Sequence, residues 1–228
     1  MMMSEAIVSD QQLERRGIAA LIEGPHPVHL VDCDLEEADL SGLDLEGWVF
    51  DRCTLRNTRF DDANLEGTRW QSCRGGFALF PGADLSDAEI TACDFNNAVF
   101  RRTRLTSARF RGCKLTGADF SDARALDVSF EETLMINVKL QGHSFRKQKL
   151  VRLDFGQADL RKCDFRAATL DGCSLRDAQL TGSRFEGADL RGADLGGLRL
   201  VDATLFKGAF ISASQAGQLL AELGLKVS

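Results

Sequence analysis

Large apolar residues recur at every fifth position over most of the chain. Of the 37 positions in this series from Leu30 to Phe210, 35 hold Leu, Phe, Ile, Met or Trp, and the exceptions are Gly75 and Ala125. A second series lies two residues earlier, from Cys33 to Gly208, and 30 of its 36 members are Ala, Cys, Ser, Thr, Val or Gly. The residues between the two series are mostly polar.

A period of five fits neither an α-helix, which repeats every 3.6 residues, nor a flat strand, which repeats every two. It fits a coil whose sides are five residues long, with one large and one small side chain inward on each side. Four such sides close a turn of about 20 residues, and stacked turns then pair as parallel bridges about 4.8 Å apart. The pattern therefore predicts an all-β solenoid.

The clearest copies of the repeat read ADLSG (38–42), ANLEG (63–67), ADLRG (188–192) and ADLGG (193–197). This pattern resembles the A(D/N)LXX motif of the pentapeptide-repeat family. The resemblance covers residues 28–210 and implies a right-handed quadrilateral β-helix of about nine coils. We expect three parts: an N-terminal tail and capping helix over 1–27, the β-helix over 28–210, and a C-terminal segment over 211–228.

Residues 9–24 are predicted to form a helix that covers the first coil. Ser9 and Gln12 have the spacing of a capping box, and Gly24 followed by Pro25 would end the helix. Open solenoid ends need such caps.

A second helix and a short strand are predicted over 212–228, with a capping box formed by Ser212 and Gln215 and with Gly224 at the helix end. Gln215–Val227 resembles the C-terminus of quinolone-resistance and gyrase-inhibiting members of the family, and the resemblance implies a homodimer joined tail to tail. A plain hydrophobic cap is the alternative. The predicted dimer interface comprises Ala216, Leu219, Leu220, Leu223, Leu225 and Val227.

The chain has a net charge of −6, which argues against a direct nucleic-acid binder. Neither a membrane span nor a secretory signal is visible, so we expect a cytoplasmic protein that binds no membrane. The charge is uneven, because residues 28–66 carry 11 acidic and 3 basic residues, whereas residues 101–114 and 139–152 carry bases and no acid. These charge clusters are candidate surfaces for contact with a partner. The alternative is that each forms a solvated face with salt bridges between coils.

No catalytic site is indicated. All seven cysteines fall in the small-residue series, and five recur once per predicted coil, from Cys33 to Cys113. Such a column suits neither disulfides nor tetrahedral zinc, so the cysteines are interpreted as small buried residues. We find no phosphate-binding motif and no nucleophile beside the three histidines, and we expect a non-enzyme without cofactors.

Two segments break the pattern. Residues 74–82 place Gly75 on the axis and Phe77 outward, and residues 141–153 lose the small series at His143, Gln148 and Leu153. Because the five-residue register resumes after each, distorted coils are favoured over projecting loops.

Two functions follow from the sequence. The resemblance implies binding to DNA gyrase or topoisomerase IV by mimicry of duplex DNA, which would protect the enzyme from quinolones or peptide poisons. The alternative is a scaffold that binds an unrelated protein. The candidate acidic contact residues are Asp32, Asp34, Glu36, Glu37, Asp39, Asp44, Glu46, Asp61 and Asp62. The candidate irregular contact residues are Arg74, Phe77, Leu134, Ile136, Arg146, Lys147 and Lys149.

Overall fold

The computed structural model describes residues 6–197, 204–222 and 224–226. The chain divides into two compact units, Met1–Thr133 and Leu134–Ser228. The predicted parallel β-solenoid of about nine turns is confirmed, with one helix towards each end of the chain.

The first unit contains seven short strands and one helix. The helix α1 (Arg15–Ile22) lies between the first two strands in sequence, and each strand pairs in parallel with the next. From β2 onward each residue pairs with its equivalent one full coil further on, as in Leu30 opposite Phe50. The strands are β1 (Ala6–Ser9), β2 (Val28–Val31), β3 (Val49–Asp51), β4 (Arg69–Gln71), β5 (Glu89–Thr91), β6 (Arg109–Arg111) and β7 (Ser129–Glu131).

The second unit continues the same pattern with β8 (Lys149–Val151), β9 (Thr169–Ser174) and β10 (Asp189–Asp194), followed by helix α2 (Ala213–Glu222). Strand β8 pairs in parallel with β9 in the same one-coil register, with Leu150 opposite Leu170, and β9 pairs with β10 with shifts around Gly192. None of the described helices is long and apolar enough to cross a membrane.

Each coil has four faces. The strands form the first face, and single parallel bridges such as Asp34–Thr54, Asp39–Arg59 and Asp44–Asn64 form the second, third and fourth. A turn separates consecutive faces, and its third residue lies in the left-handed region, as at Glu37 with φ 61°. On the second, third and fourth faces the turn closes with a bond of the type Ala38 N–H to Leu35 O, at 3.1 Å. This is the geometry of a type II turn, which explains why Gly, Asn and Asp recur there.

The large residues of the five-residue series fill the axis. Phe60 stacks on Phe80 with ring centroids 4.9 Å apart, and Phe80 stacks on Phe100 at 4.8 Å. In the second unit Phe145 and Phe165 stack at 4.9 Å. These rings are fully buried, so the hydroxyl of a tyrosine would lack a partner there. Of the 15 Phe in the chain 12 are buried, which agrees with the absence of Tyr.

The helix predicted over residues 9–24 begins later than expected. Residues 6–9 instead form β1, which pairs with β2, and Leu13 N–H donates to Asp34 O at 2.8 Å. Ser9 therefore makes no capping box, and the N-cap of α1 is Glu14, without a side-chain cap bond. The physical reason is that the open edge of the first coil offers unpaired backbone groups, and satisfying them outweighs a local cap.

The C-terminal predictions are confirmed in part. Ser212 and Gln215 form the predicted reciprocal capping box, and Gly224 ends the helix region with φ 77°. However, the five-residue register slips by one residue after residue 197. Phe206 stacks on Phe185 at 4.5 Å, and Phe210 lies opposite Asp189 and is exposed, so neither Leu205 nor Phe210 occupies the axis position predicted for it.

Both irregular segments lie in regular coils. Arg74 bridges Thr54 and Asp94, and Leu79 bridges Arg59 and Val99, so residues 74–82 do not project as a loop. In the second unit Ser144 bridges Asp164, and β8 follows within the same coil. The prediction that these segments stay within the coils and do not project as loops is therefore confirmed, although the bridges keep their regular one-coil register.

Candidate functional site

The candidate acidic residues lie on the outward positions of the first coils. The repeat alternates inward and outward side chains, so Asp, Glu and Arg residues between the two apolar series face solvent. Equivalent side chains on adjacent coils are direct neighbours, as cross-strand pairs are in any sheet. This stacking decides which carboxylates are neutralised and which remain free.

Four of the predicted contact acids are ion-paired. Asp32 accepts hydrogen bonds from Arg52 Nε at 2.8 Å and from Arg52 Nη2 at 2.7 Å. These bonds to the guanidinium lower the pKa of the Asp32 carboxyl. Glu36 lies 3.9 Å from Arg56. Asp39 and Asp61 share Arg59, at 3.8 and 3.2 Å. These acids are less available to a partner than the sequence alone implies.

Five of the predicted contact acids make no ion pair with the described residues: Asp34, Glu37, Asp44, Glu46 and Asp62. Glu66 joins them, although the sequence pattern alone did not single it out from the acids of 28–66. The sequence feature that could have identified Glu66 is its spacing of 20 residues from Glu46. This spacing places both side chains on the fourth face, one coil apart.

We use the name fourth-face carboxylates for Asp44, Glu46 and Glu66 together with Asp62 at the adjoining corner. Asp44 accepts hydrogen bonds from Asn64 Nδ2 at 2.8 Å and from the Glu46 backbone N–H at 3.4 Å, which orient its carboxylate outward. Glu46, Asp62 and Glu66 are exposed. The coil geometry thus brings together anionic side chains from two successive coils that are separated in the sequence.

The density of this charge is close to that of duplex DNA. Six unpaired carboxylates lie in residues 28–66, namely the five above and Glu66. These residues span about two coils, or about 10 Å of axis at about 4.8 Å per coil. Duplex DNA carries about six phosphate charges over the same length.

The basic stretch at 101–114 is largely neutralised by acids on adjacent coils. The pairs are Arg101–Asp119 at 2.7 Å, Arg104–Asp84 at 2.7 Å, Arg109–Glu89 at 3.3 Å, Arg111–Glu131 at 3.6 Å and Lys114–Asp94 at 3.9 Å. Asp119 is nearly buried, and Arg101 binds it through two nitrogens. The interpretation of this stretch as a face of salt bridges between coils is supported by these distances.

The other predicted contact residues come from two segments of the chain, one in each unit. Phe77 is 50% exposed at a turn position with φ 63°, an unfavourable backbone region for a bulky side chain. Arg74 is exposed nearby on the second face. In the second unit Leu134 is 42% exposed and Ile136 is half-buried, while Arg146 and Lys147 are exposed and Lys149 lies 3.7 Å from Asp171. Arg74 and Phe77 belong to the first unit, and the other five residues belong to the second.

The C-terminal segment exposes apolar surface. Leu220 and Leu225 are 39% and 54% exposed, and Phe210 and Ile211 are also exposed, whereas Ala216 and Leu219 are half-buried. Leu223 and Val227 lie outside the described residues. Leu225 follows the turn at Gly224 and is not in a strand within this single chain. Gln215 anchors α2 to the last coil by donating to Leu190 O and Ala193 O, both at 2.7 Å.

The buried cysteines and His143 have shifted pKa values that favour their neutral forms. All seven cysteines are free and buried, and burial raises the pKa of the Cys113 thiol to about 11 and that of Cys163 to about 12. Burial also lowers the pKa of His143 to about 4. Within the described part of the chain, no group of three or more His, Cys, Asp or Glu side chains could hold a metal ion.

The fold defines a class: a parallel β-solenoid built from five-residue repeats. A family model for pentapeptide repeats matches the chain in eight copies, over residues 29–69, 83–122, 129–166 and 158–197. The chain therefore belongs to the pentapeptide-repeat family.

Solved structures of QnrB1, a plasmid-mediated fluoroquinolone resistance protein, have a similar fold. A trypsin-treated variant of QnrB1 is 21% identical with a TM-score of 0.76, and the match covers 99% of this chain and 100% of that one. Full-length QnrB1 is 24% identical with a TM-score of 0.70, and the match covers 82% and 97%. No curated protein matches the chain in sequence.

Proposed function

We propose that this protein binds DNA gyrase or topoisomerase IV without catalysing a reaction. It would occupy the surface that holds duplex DNA and so protect the enzyme from quinolones or peptide poisons. The observation that carries the proposal is the set of six carboxylates in residues 28–66 that make no ion pair with described residues and match the linear charge of DNA, four of which are the fourth-face carboxylates. The fold shared with QnrB1 gives independent support.

The proposed mechanism is electrostatic competition. A DNA-binding surface is lined with Lys and Arg side chains that neutralise phosphates. Carboxylates held on a rigid coil at about 4.8 Å intervals can neutralise the same cations without the deformability of DNA. Asn64 and the Glu46 backbone N–H fix Asp44, so less side-chain entropy is lost on binding.

The test is a gyrase supercoiling assay with the purified protein titrated in, with and without a quinolone. We expect inhibition, or relief of drug-stabilised cleavage, at micromolar protein. The triple variant Asp44→Lys, Glu46→Lys and Asp62→Lys should lose the effect by at least about tenfold, because each reversed charge repels the basic surface.

A matched control has the same change of charge elsewhere: Asp87→Lys, Asp127→Lys and Asp177→Lys. These three carboxylates are exposed and make no ion pair with described residues. The control should retain activity. Equal loss in both triple variants would mean that net charge, and not the fourth face, carries the effect. Inactivity of the unaltered protein at large excess would refute the topoisomerase proposal.

We further propose that two copies join through the C-terminal segment. The exposed side chains of Leu220, Leu225, Phe210 and Ile211 form apolar surface that a second copy would cover. Light scattering should give about twice the chain mass of 25.0 kDa. The variant Leu220→Glu with Leu225→Glu should give a monomer, and a monomeric unaltered chain would contradict the proposal.

A scaffold that binds an unrelated protein is the second candidate. The observation that favours it is Phe77, whose half-exposed ring occupies a turn position with a strained backbone. Affinity purification with the unaltered chain and with Phe77→Asn separates the two functions. A non-topoisomerase protein retained only by Phe77 would support the scaffold.

A further inference from the structure

The fourth face of the second unit carries an excess of positive charge. On this face Ser144 bridges Asp164, and Asp164 bridges Arg184 on the next coil. Residues 139–166 contain eight basic and three acidic residues, although the whole chain has a net charge of −6. We use the name basic fourth face for five cations at this face and its two corners, of which the last is half-buried and the others are exposed: Arg146, Lys147, Arg161, Lys162 and Arg166.

The carboxylates nearest to these cations are already bound by arginines of their own coils. The pairs are Asp159–Arg161 at 2.6 Å, Asp164–Arg166 at 2.5 Å and Glu186–Arg184 at 3.2 Å. Hydrogen bonds from Arg166 lower the pKa of the Asp164 carboxyl to about 2, so this acid stays ionised and paired near neutral pH. These carboxylates are therefore not available to the remaining cations.

Three members of the basic fourth face make no ion pair with described residues: Arg146, Lys147 and Lys162. The coil register explains this. In the basic stretch at 101–114 the paired acids lie 18 or 20 residues away, on an adjacent coil. The residues 20 positions after the three cations are instead Arg166, Ala167 and Gly182. Arg146 thus has a like charge beside it, which is destabilising in a sheet.

The composition of this face favours a partner that binds through charge. Phe145, Phe165 and Phe185 are buried on the axis, so the outward positions 144, 146, 164, 166, 184 and 186 hold only polar or charged side chains. A protein interface normally has an apolar core, and single-stranded nucleic acid is held by stacking on aromatic rings. These outward positions offer neither, whereas a duplex phosphate backbone needs only Arg and Lys side chains that replace its counterions.

We infer that the basic fourth face binds the phosphate backbone of duplex nucleic acid and does not read its sequence. The three unpaired cations supply the contacts. A duplex carries one charge per about 1.7 Å, so phosphates are dense enough to meet cations on coils about 4.8 Å apart. The net negative charge of the whole chain does not exclude this contact, because counterion release depends on the cations that meet phosphates. This binding is independent of the proposed topoisomerase contact, which uses carboxylates of the first unit.

The test is fluorescence anisotropy of a fluorescein-labelled duplex of about 20 base pairs, titrated with the full chain and without any topoisomerase. We expect saturable binding with a Kd below about 100 µM at about 25 mM salt. Three phosphate contacts predict that the logarithm of the binding constant falls with the logarithm of the salt concentration with a slope of about −3. Poly-glutamate should compete at least about fivefold less well than unlabelled duplex, because its charges are spaced more widely.

Two triple variants locate the contact. Arg146→Gln with Lys147→Gln and Lys162→Gln should weaken binding at least about tenfold and bring the salt slope close to zero. The matched control, Arg69→Gln with Arg74→Gln and Arg102→Gln, removes the same charge from three exposed cations of the first unit that make no ion pair with described residues. It should weaken binding by less than about threefold.

The fold of both variants is checked by circular dichroism, since all six side chains are exposed. Absence of binding at about 25 mM salt, or equal losses in the two variants, would overturn the inference. Equal competition by poly-glutamate would also overturn it and would indicate an acidic protein as the partner.

Discussion

The glycine on the axis at position 75 gives the sharpest test of how the interior is packed. All other axis residues of the first four coils are large. Phe95, on the next coil of the same face, leans into the space that a side chain at 75 would take. A Cβ added to Gly75 would lie 2.1 Å from Phe95 Cε1 and 2.4 Å from Cδ1. One phenylalanine thus fills two axis positions.

We expect Gly75→Ala to destabilise the protein by roughly 1–3 kcal/mol, the cost of overpacking a core. The Phe95 ring would have to retreat by more than about 1 Å to reach ordinary contact at about 3.5 Å. It cannot do so freely, because Trp70, Phe80 and Phe100 surround it with centroids 6.0, 5.7 and 6.2 Å away. The free energy of unfolding is to be measured with urea and circular dichroism.

Two further variants check the cause. Gly76→Ala is the matched control, because its new Cβ would meet only Asn96 O at 3.8 Å, so stability should change by no more than about 0.5 kcal/mol. Phe95→Leu removes the ring that clashes, so in this background the cost of Gly75→Ala should fall by at least about 1 kcal/mol. Strict additivity of the two changes, or equal effects at 75 and 76, would refute this account of the axis.

Three other predictions follow from the structure. Burial lowers the pKa of His143 to about 4 against an ordinary value of 6.5, so the unfolded chain binds the proton more readily. Stability should therefore fall between pH 6.5 and 4, by at most roughly 3 kcal/mol, and His143→Leu should flatten this part of a urea-midpoint profile against pH. The seven buried thiols should react with Ellman's reagent only slowly in the folded protein and completely in denaturant, and rapid labelling of several thiols in the native state would contradict their burial. Phe77→Asn should raise the melting temperature, with a gain of about 1 kcal/mol, because Asn tolerates the left-handed backbone that Phe77 is forced to adopt; Leu79→Asn, at a position without positive φ, should give no such gain.

The sequence was informative where the structure is local and repetitive. The five-residue period predicts the coil, the parallel pairing of each residue with its equivalent on the next coil, and the burial of the cysteines, because each follows from which side chains point inward. The capping box of Ser212 and Gln215 is likewise local, since both partners lie within one helical turn. The homogeneous repeat left few alternative registers for residues 28–197.

Tertiary structure decided the two ends of the solenoid and the ion pairs between coils, which the repeat does not specify. Pairing at the open edge of the first coil drew residues 6–9 into a strand, so a plausible capping box at Ser9 did not form. A one-residue slip placed Phe206, and not Leu205, against Phe185. The set of candidate contact residues changed most between sequence and structure. Whether a carboxylate is free depends on the side chain beside it on the adjacent coil, and that side chain is distant in the sequence. Asp32 is held by Arg52, whereas Glu46, whose equivalent one coil further on is Glu66, makes no ion pair with described residues. The period determined the fold, and contacts between coils determined which of its charges can reach a partner.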